Sequence, residues 1–197
     1  MEAEALDETK QKIMDAAMGL VRDKGYAATT TKDIAREAGV NECTIFRKFK
    51  GKKDIILSAM EEKRWLPEIG PGILEKVSYE LEPDLRLFMR TYLERITAEF
   101  VGLSIGLRAP QIYEETAPLI MKIPKSFMDA LKAYFKEMAA RGKIAAMDFD
   151  SLAMTIFSAT FGYTFLTASF ENRLSPVEQE AYIEKSAALF VRGIEQQ

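Results

Sequence analysis

The stretch Gly25–Ile56, GYAATTTKDIAREAGVNECTIFRKFKGKKDII, decides the fold. Thr30 and Asp33 have capping-box spacing, with Asp in place of the usual Glu, so a short helix begins after Thr30. Ile34, Ala35 and Ala38 make its inward face. Gly39 and Val40 form a tight turn, and Asn41 is a good N-cap for a third helix from Glu42 to about Phe49. Gly51 breaks that helix, and a fourth starts at Lys52 and runs towards Trp65. Two short helices joined by a glycine-containing turn have the layout of a helix-turn-helix. By itself that layout also fits an ordinary corner in a helical bundle.

Upstream, Ile13, Ala16, Ala17, Leu20 and Val21 share one face of a first helix, about Glu8 to Lys24. Gly25 follows it, where a left-handed C-cap favours glycine. Downstream, Pro67, Gly70, Pro71 and Gly72 punctuate the chain. The expected division is therefore a head at 1–64 that carries the two short helices and a helical body at 65–197. Within the body, Leu85, Phe88, Met89, Tyr92, Leu93, Ile96 and Phe100 trace one long helix. Pro110 and Pro118 bound a short one. Phe127, Met128, Leu131, Tyr134, Phe135 and Met138 mark another, closed by Gly142. Asp148 or Asp150 opens the next, and Ser175, Pro176 and Glu178 form the start signal of the last. No stretch alternates for long enough to make a strand.

Composition narrows the function. The 197 residues are 48% hydrophobic and 29% charged, as in a globular protein. The acidic N-terminus (Glu2, Glu4, Asp7, Glu8) is unlike a targeting peptide, so a cytoplasmic location is expected. One cysteine, Cys43, rules out an intrachain disulfide. The absence of histidine removes the Ser-His-Asp and Cys-His mechanisms and the commonest metal ligand, so no catalytic residue, metal or cofactor is expected. The net charge of −3 hides a gradient, with residues 1–64 at +1 and the remainder at −4. Arg47, Lys48, Lys50, Lys52 and Lys53 cluster between Glu42 and Asp54. A basic patch on an acidic body suits a protein that meets phosphates with one face.

The quoted string resembles the signature of the tetracycline-repressor (TetR) family. It carries Tyr26 after the glycine, Thr29-Thr30, Asp33-Ile34-Ala35, Ala38-Gly39-Val40, Asn41, Thr44, Ile45-Phe46, Phe49 and Lys52 in that family's order. The resemblance covers nearly all of the first 60 residues; beyond them only length and helicity match. It implies an all-α fold: a three-helix head with a helix-turn-helix, joined through a fourth helix to a ligand-binding and dimerisation domain. It also implies a sequence-specific regulator, usually a repressor, acting as a homodimer on inverted-repeat double-stranded DNA.

The residues expected at DNA are Thr30, Thr31, Asn41, Glu42, Cys43, Thr44, Phe46, Arg47, Lys48 and Lys52. Arg47 or Lys48 suits a guanine and Glu42 a cytosine amino group. Thr30, Thr31 and Lys52 suit phosphates, and the resemblance gives Thr44 the same role. Lys10, Lys12 and Lys53 are further surface lysines, with Lys10 and Lys12 as extra phosphate contacts. Phe46 departs from the tyrosine common in the family and lacks its hydroxyl. Lys48 replaces a common histidine or tyrosine, and Cys43 a small residue. A thiol in a basic patch has some thiolate character, although a small residue tolerated near DNA explains Cys43 as well.

Residues 151–170 contain no charge and are long enough to span a membrane. Eight hydroxyl-bearing side chains in that stretch argue instead for a buried dimer helix with no membrane partner. Ala153, Ser158 and Gly162 permit close approach, and Phe157, Phe161 and Phe165 supply area. The resemblance places the subunit interface on two C-terminal helices, about 149–170 and 176–193. Phe88, Met89, Tyr92, Phe127, Met128, Leu131 and Tyr134 are either plain core or the wall of a pocket for a small, hydrophobic effector. The competing readings are a helical lipid- or small-molecule-binding protein, and a constitutive DNA-binding regulator without effector response.

Overall fold

The computed structural model describes residues 2–62, 65, 67, 69–171 and 173–195, with side chains left aside at 2–7 and 71. Among the described residues the chain forms ten helices and no strand, which is the expected all-α architecture. They are α1 (Glu2–Ala28), α2 (Thr31–Glu37), α3 (Glu42–Lys48), α4 (Lys52–Met60), α5 (Pro71–Leu74), α6 (Leu81–Arg95), α7 (Ala98–Gly106), α8 (Tyr113–Ala140), α9 (Phe149–Ser169) and α10 (Gln179–Glu195). The fourth helix, expected to run towards Trp65, ends at Met60 with Glu61 as its C-cap, and the boundary expected after Arg64 falls partly outside the described residues.

The chain divides into two compact units. The first comprises 1–66 with 99–121, and the second 67–98 with 122–197. In the first unit, Ile13, Ala17, Met18 and Val21 of α1 bury against Ile34 of α2, Ile45 of α3 and Ile55, Ile56 and Ala59 of α4. Leu103, Leu107 and Ile112 belong to the same core, so the head takes in α7 and the start of α8 as well as its N-terminal segment. The approach of α7 to α1 is close: a Cβ at Gly106 would lie 2.3 Å from the carbonyl oxygen of Val21.

In the second unit α6 packs on α9 and α10. Phe88, Met89, Phe127, Leu131 and Phe135 are fully buried there. Arg90 of α6 forms a fork to Glu180 of α10, at 3.1 and 2.6 Å. Tyr182 donates to the Ala159 carbonyl at 2.6 Å and stacks on Tyr163, so α10 also touches α9 through this side chain.

Four further sequence expectations about elements are corrected. The long helix traced through Phe100 ends at Arg95, where Ile96 leaves the helical region (φ −98, ψ 88), and α7 is separate. No glycine or proline marks that break. Pro118 does not end a helix; α8 runs through both Pro118 and Pro124. Each proline removes one donor from the helix, and burial of Thr116, Ile123 and Phe127 on the same helix outweighs that loss. Ser175 is not an N-cap: its Oγ accepts from Val177 N at 3.3 Å in a local turn, and α10 starts three residues beyond the predicted position. Ala153, expected to permit close approach of a second subunit, has no exposed surface in the single chain. It is fully buried with Ile156, Thr160 and Thr164, the stripe of α9 that turns into its own unit.

Candidate nucleic-acid interface

The helix-turn-helix is built by local signals that the structure shows in place. Gly25 breaks the first helix at φ 81 and ψ 161. Thr30 caps α2, its Oγ1 accepting from Asp33 N at 3.1 Å. Gly39 turns the chain at φ 66, where a side chain would be strained. Asn41 caps α3, its Oδ1 accepting from Cys43 N at 2.9 Å. Ile45 and Phe49 then anchor α3 in the core and leave the opposite face outward.

That outward face presents Cys43, Phe46 and Arg47. Phe46 is 57% exposed, an unusual state for a phenylalanine. Arg47 is exposed with no hydrogen bond or ion pair among the described residues. Thr44 and Lys48 flank this face half-buried, and Thr30 and Asn41 stand exposed at the two helix starts.

The remaining expected residues have partners within the protein. Thr31 Oγ1 donates to Glu42 Oε1 at 2.7 Å and ties the start of α2 to the start of α3. Lys52 Nζ donates to the carbonyls of Tyr26 and Thr29, each at 2.6 Å, and sits 4.0 Å from the Tyr26 ring centroid. Burial, reinforced by Lys24, pushes its ammonium below the usual lysine range. Lys52 therefore gathers the segment entering α2 as well as adding charge. Lys53 pairs with Glu115 at the start of α8. The basic cluster thus resolves into a half-buried tie at Lys52, an exposed ion pair at Lys53 and outward cations at Arg47 and Lys50. Lys50 was part of the cluster in the sequence, but neighbouring residues alone did not show which of its cations face out.

Asp33 closes a small network, accepting from Lys24 at 2.7 Å, Thr30 at 2.9 Å and Arg36 at 2.9 Å. Lys24, then Thr30, hold its carboxyl down at about 2. A depressed carboxyl stabilises the folded state above its unfolded value of 3.8, and that contribution is lost as pH falls through about 2. Asp33→Asn is therefore expected to flatten the acid limb of stability in that window. Thermal melts of both proteins across it check this, and unchanged steepness would remove Asp33 from the account.

The other predicted sets lie in the second unit. Six of the seven effector candidates are buried, with Met128 half-buried, and they pack ring on ring. Phe88–Phe127, Phe88–Tyr134, Tyr92–Phe127 and Tyr92–Phe157 centroids lie 6.0, 5.4, 4.9 and 5.9 Å apart. None of the seven lines a cavity described in this unit. A cavity of about 250 Å³ is lined by Leu93, Ile96, Thr97, Ala98, Tyr163, Thr164, Thr167, Ala168 and Gln179. On α9, Ser158 is exposed and Phe157, Phe161, Gly162 and Phe165 are half-buried. The three phenylalanine rings stack in a ladder at 5.6 and 5.7 Å. Met154 and Leu166, which the sequence reading missed, are 52% and 41% exposed beside them.

Residues 13–59 match the family model for bacterial regulatory proteins of the tetR family. The HTH-type transcriptional regulator YvkB of Bacillus subtilis is 33% identical over 186 residues, covering 94% of this chain and 97% of that protein. The chain belongs to the TetR family. The fold of this TetR-family regulator is shared by FadR, the fatty acid degradation regulator of Bacillus halodurans (TM-score 0.71, 20% identity, 94% and 95% of the two chains). It is also shared by FadR of Bacillus subtilis, whose crystal structure is a complex with stearoyl-CoA (TM-score 0.70, 23% identity, 93% and 98%).

Proposed function

We propose that this regulator binds an inverted-repeat operator as a homodimer and represses until a small, largely apolar effector releases it. The observation that carries the DNA reading is the outward face of α3, where an exposed Phe46 stands beside an Arg47 with no partner among the described residues, on a helix capped and anchored from behind. Arg47 suits a guanine edge, and Phe46 suits a sugar or a thymine methyl. Two heads related by a two-fold axis would meet major grooves about 34–36 Å apart, or a multiple of that.

The effector reading is supported by the aromatic content of the second unit, a cavity of about 250 Å³ in the same unit, and the likeness to a regulator solved with stearoyl-CoA. An effector that prefers one subunit arrangement lowers operator affinity by linkage. The solid packing of Phe88, Phe127 and Leu131 favours a second reading, a regulator without effector response.

Selection from random DNA is expected to enrich an inverted repeat. Arg47→Ala should then cost about 1–3 kcal/mol and relax specificity at one base position per half-site. Failure to enrich any repeat would overturn the regulator reading for this head. A thermal-shift screen with operator titration of each hit separates the effector reading from the constitutive one.

A further inference from the structure

Glu42 is the one acid among the residues expected at DNA, and it is the first residue of α3. A carboxylate facing phosphates weakens binding to every sequence. A base edge that donates a proton to it offsets that cost, and the first residues of a recognition helix are the ones that meet base edges. In the major groove guanine presents the acceptors N7 and O6, and thymine the acceptor O4, all of which repel a carboxylate. Adenine sets its N7 acceptor beside its N6 donor. Cytosine offers the N4 donor with no acceptor next to it. A carboxylate held in place therefore selects cytosine by rejecting the other three bases.

A loose glutamate discriminates poorly, because its long side chain swings away from a wrong base and loses entropy on meeting the right one. Thr31 removes that freedom. It is the first residue of α2, and its Oγ1 donates to Glu42 Oε1 at 2.7 Å. Both side chains are half-buried, and Ile34 of α2 and Ile45 of α3 lie in one core, so the donor is placed as firmly as the helix that carries it. Glu42 makes no other hydrogen bond and no ion pair among the described residues, which leaves Oε2 to accept from outside. A hydroxyl has a single proton, and Thr31 gives it to Glu42 rather than to a phosphate.

Resting on the DNA reading above, we propose that Thr31 is a positioning residue for base readout, fixing Glu42 so that its carboxylate selects one cytosine in each half-site of the operator.

The test puts the full-length protein and its variants through selection from random DNA, then titrates all four bases at each position of the enriched half-site. Glu42→Gln marks the position concerned. Glutamine pairs with adenine through N6 and N7, so the preference there is expected to move from cytosine to adenine. Thr31→Val keeps the shape of the side chain and removes the donor. It is expected to lower the preference for cytosine at that same position by about three- to tenfold. Thr31→Ala removes the same donor and should lower it equally, whereas Thr31→Ser keeps the hydroxyl and should keep the preference. Loss of affinity for all four bases alike in Thr31→Val and Thr31→Ala would assign the hydroxyl to a phosphate or to the packing of α2 on α3, and would overturn the proposal. A cytosine preference that survives Glu42→Gln would overturn it as well. In both of these cases the enriched repeat stands, and with it the regulator reading. A wild type that enriches no repeat overturns both.

Discussion

Replacing Gly162 with arginine is expected to leave a folded chain that no longer dimerises and no longer holds its operator. A Cβ at Gly162 meets nothing within 4 Å in its own chain, so the monomer has room for a larger side chain there. The same surface is free of charge from Ser151 to Phe170 and exposes Met154, Ser158 and Leu166. On α10, Leu189 is 66% exposed. A contiguous apolar face of this kind marks an interaction surface. In a two-fold interface each subunit presents the same patch, so one substitution places two arginines in the contact. Burying an unpaired charge costs about 3–5 kcal/mol, enough to dissociate a micromolar dimer. Sedimentation equilibrium checks the prediction, with Gly72→Arg as the control. Gly72 is exposed with equally open surroundings and belongs to α5, not to α9. A Gly162→Arg protein that stays dimeric and binds operator would move the interface elsewhere.

How far the sequence reveals this molecule depends on the range of each signal. Caps act over three or four residues, so Thr30, Asn41, Gly25 and Gly39 announce the helix-turn-helix without help from the rest of the chain. The break at Ile96 has no local marker, and the prolines of α8 are local markers that tertiary packing overrides. Ser175 shows the opposite failure: a correct start signal is used for a turn. At the candidate DNA face, residue type identified Arg47 and Phe46. It gave no sign that Thr31 and Glu42 bond each other, because they lie on different helices. The aromatic content of the body was legible. Whether those rings line space or fill it depends on packing to within a fraction of an ångström, which no periodicity records.

The contact least visible in the sequence sets the second large expectation, that Gly106→Ala destabilises the protein by about 3 kcal/mol. Alanine normally stabilises a helix relative to glycine by up to about 1 kcal/mol, so the expected sign is reversed from propensity. The reason is geometric. The new Cβ would sit 2.3 Å from Val21 O and 3.1 Å from Val21 C, and these backbone atoms belong to a helix locked in the core. They can retreat only if α7 moves off α1 and uncovers Leu103 and Leu107, both 2% exposed or less. Gly102, one turn earlier, supplies the contrast. Its Cβ would meet Arg22 Cγ at 3.2 Å, the stem of a side chain that is 38% exposed and free to swing aside. Gly102→Ala is therefore expected to be neutral or slightly stabilising. Urea unfolding of the two variants against the parent separates them. If both prove equally stable, α7 does not sit this close to α1 in solution. If Gly106→Ala alone falls, its operator affinity should fall with it, because α7 closes the core on which α3 rests.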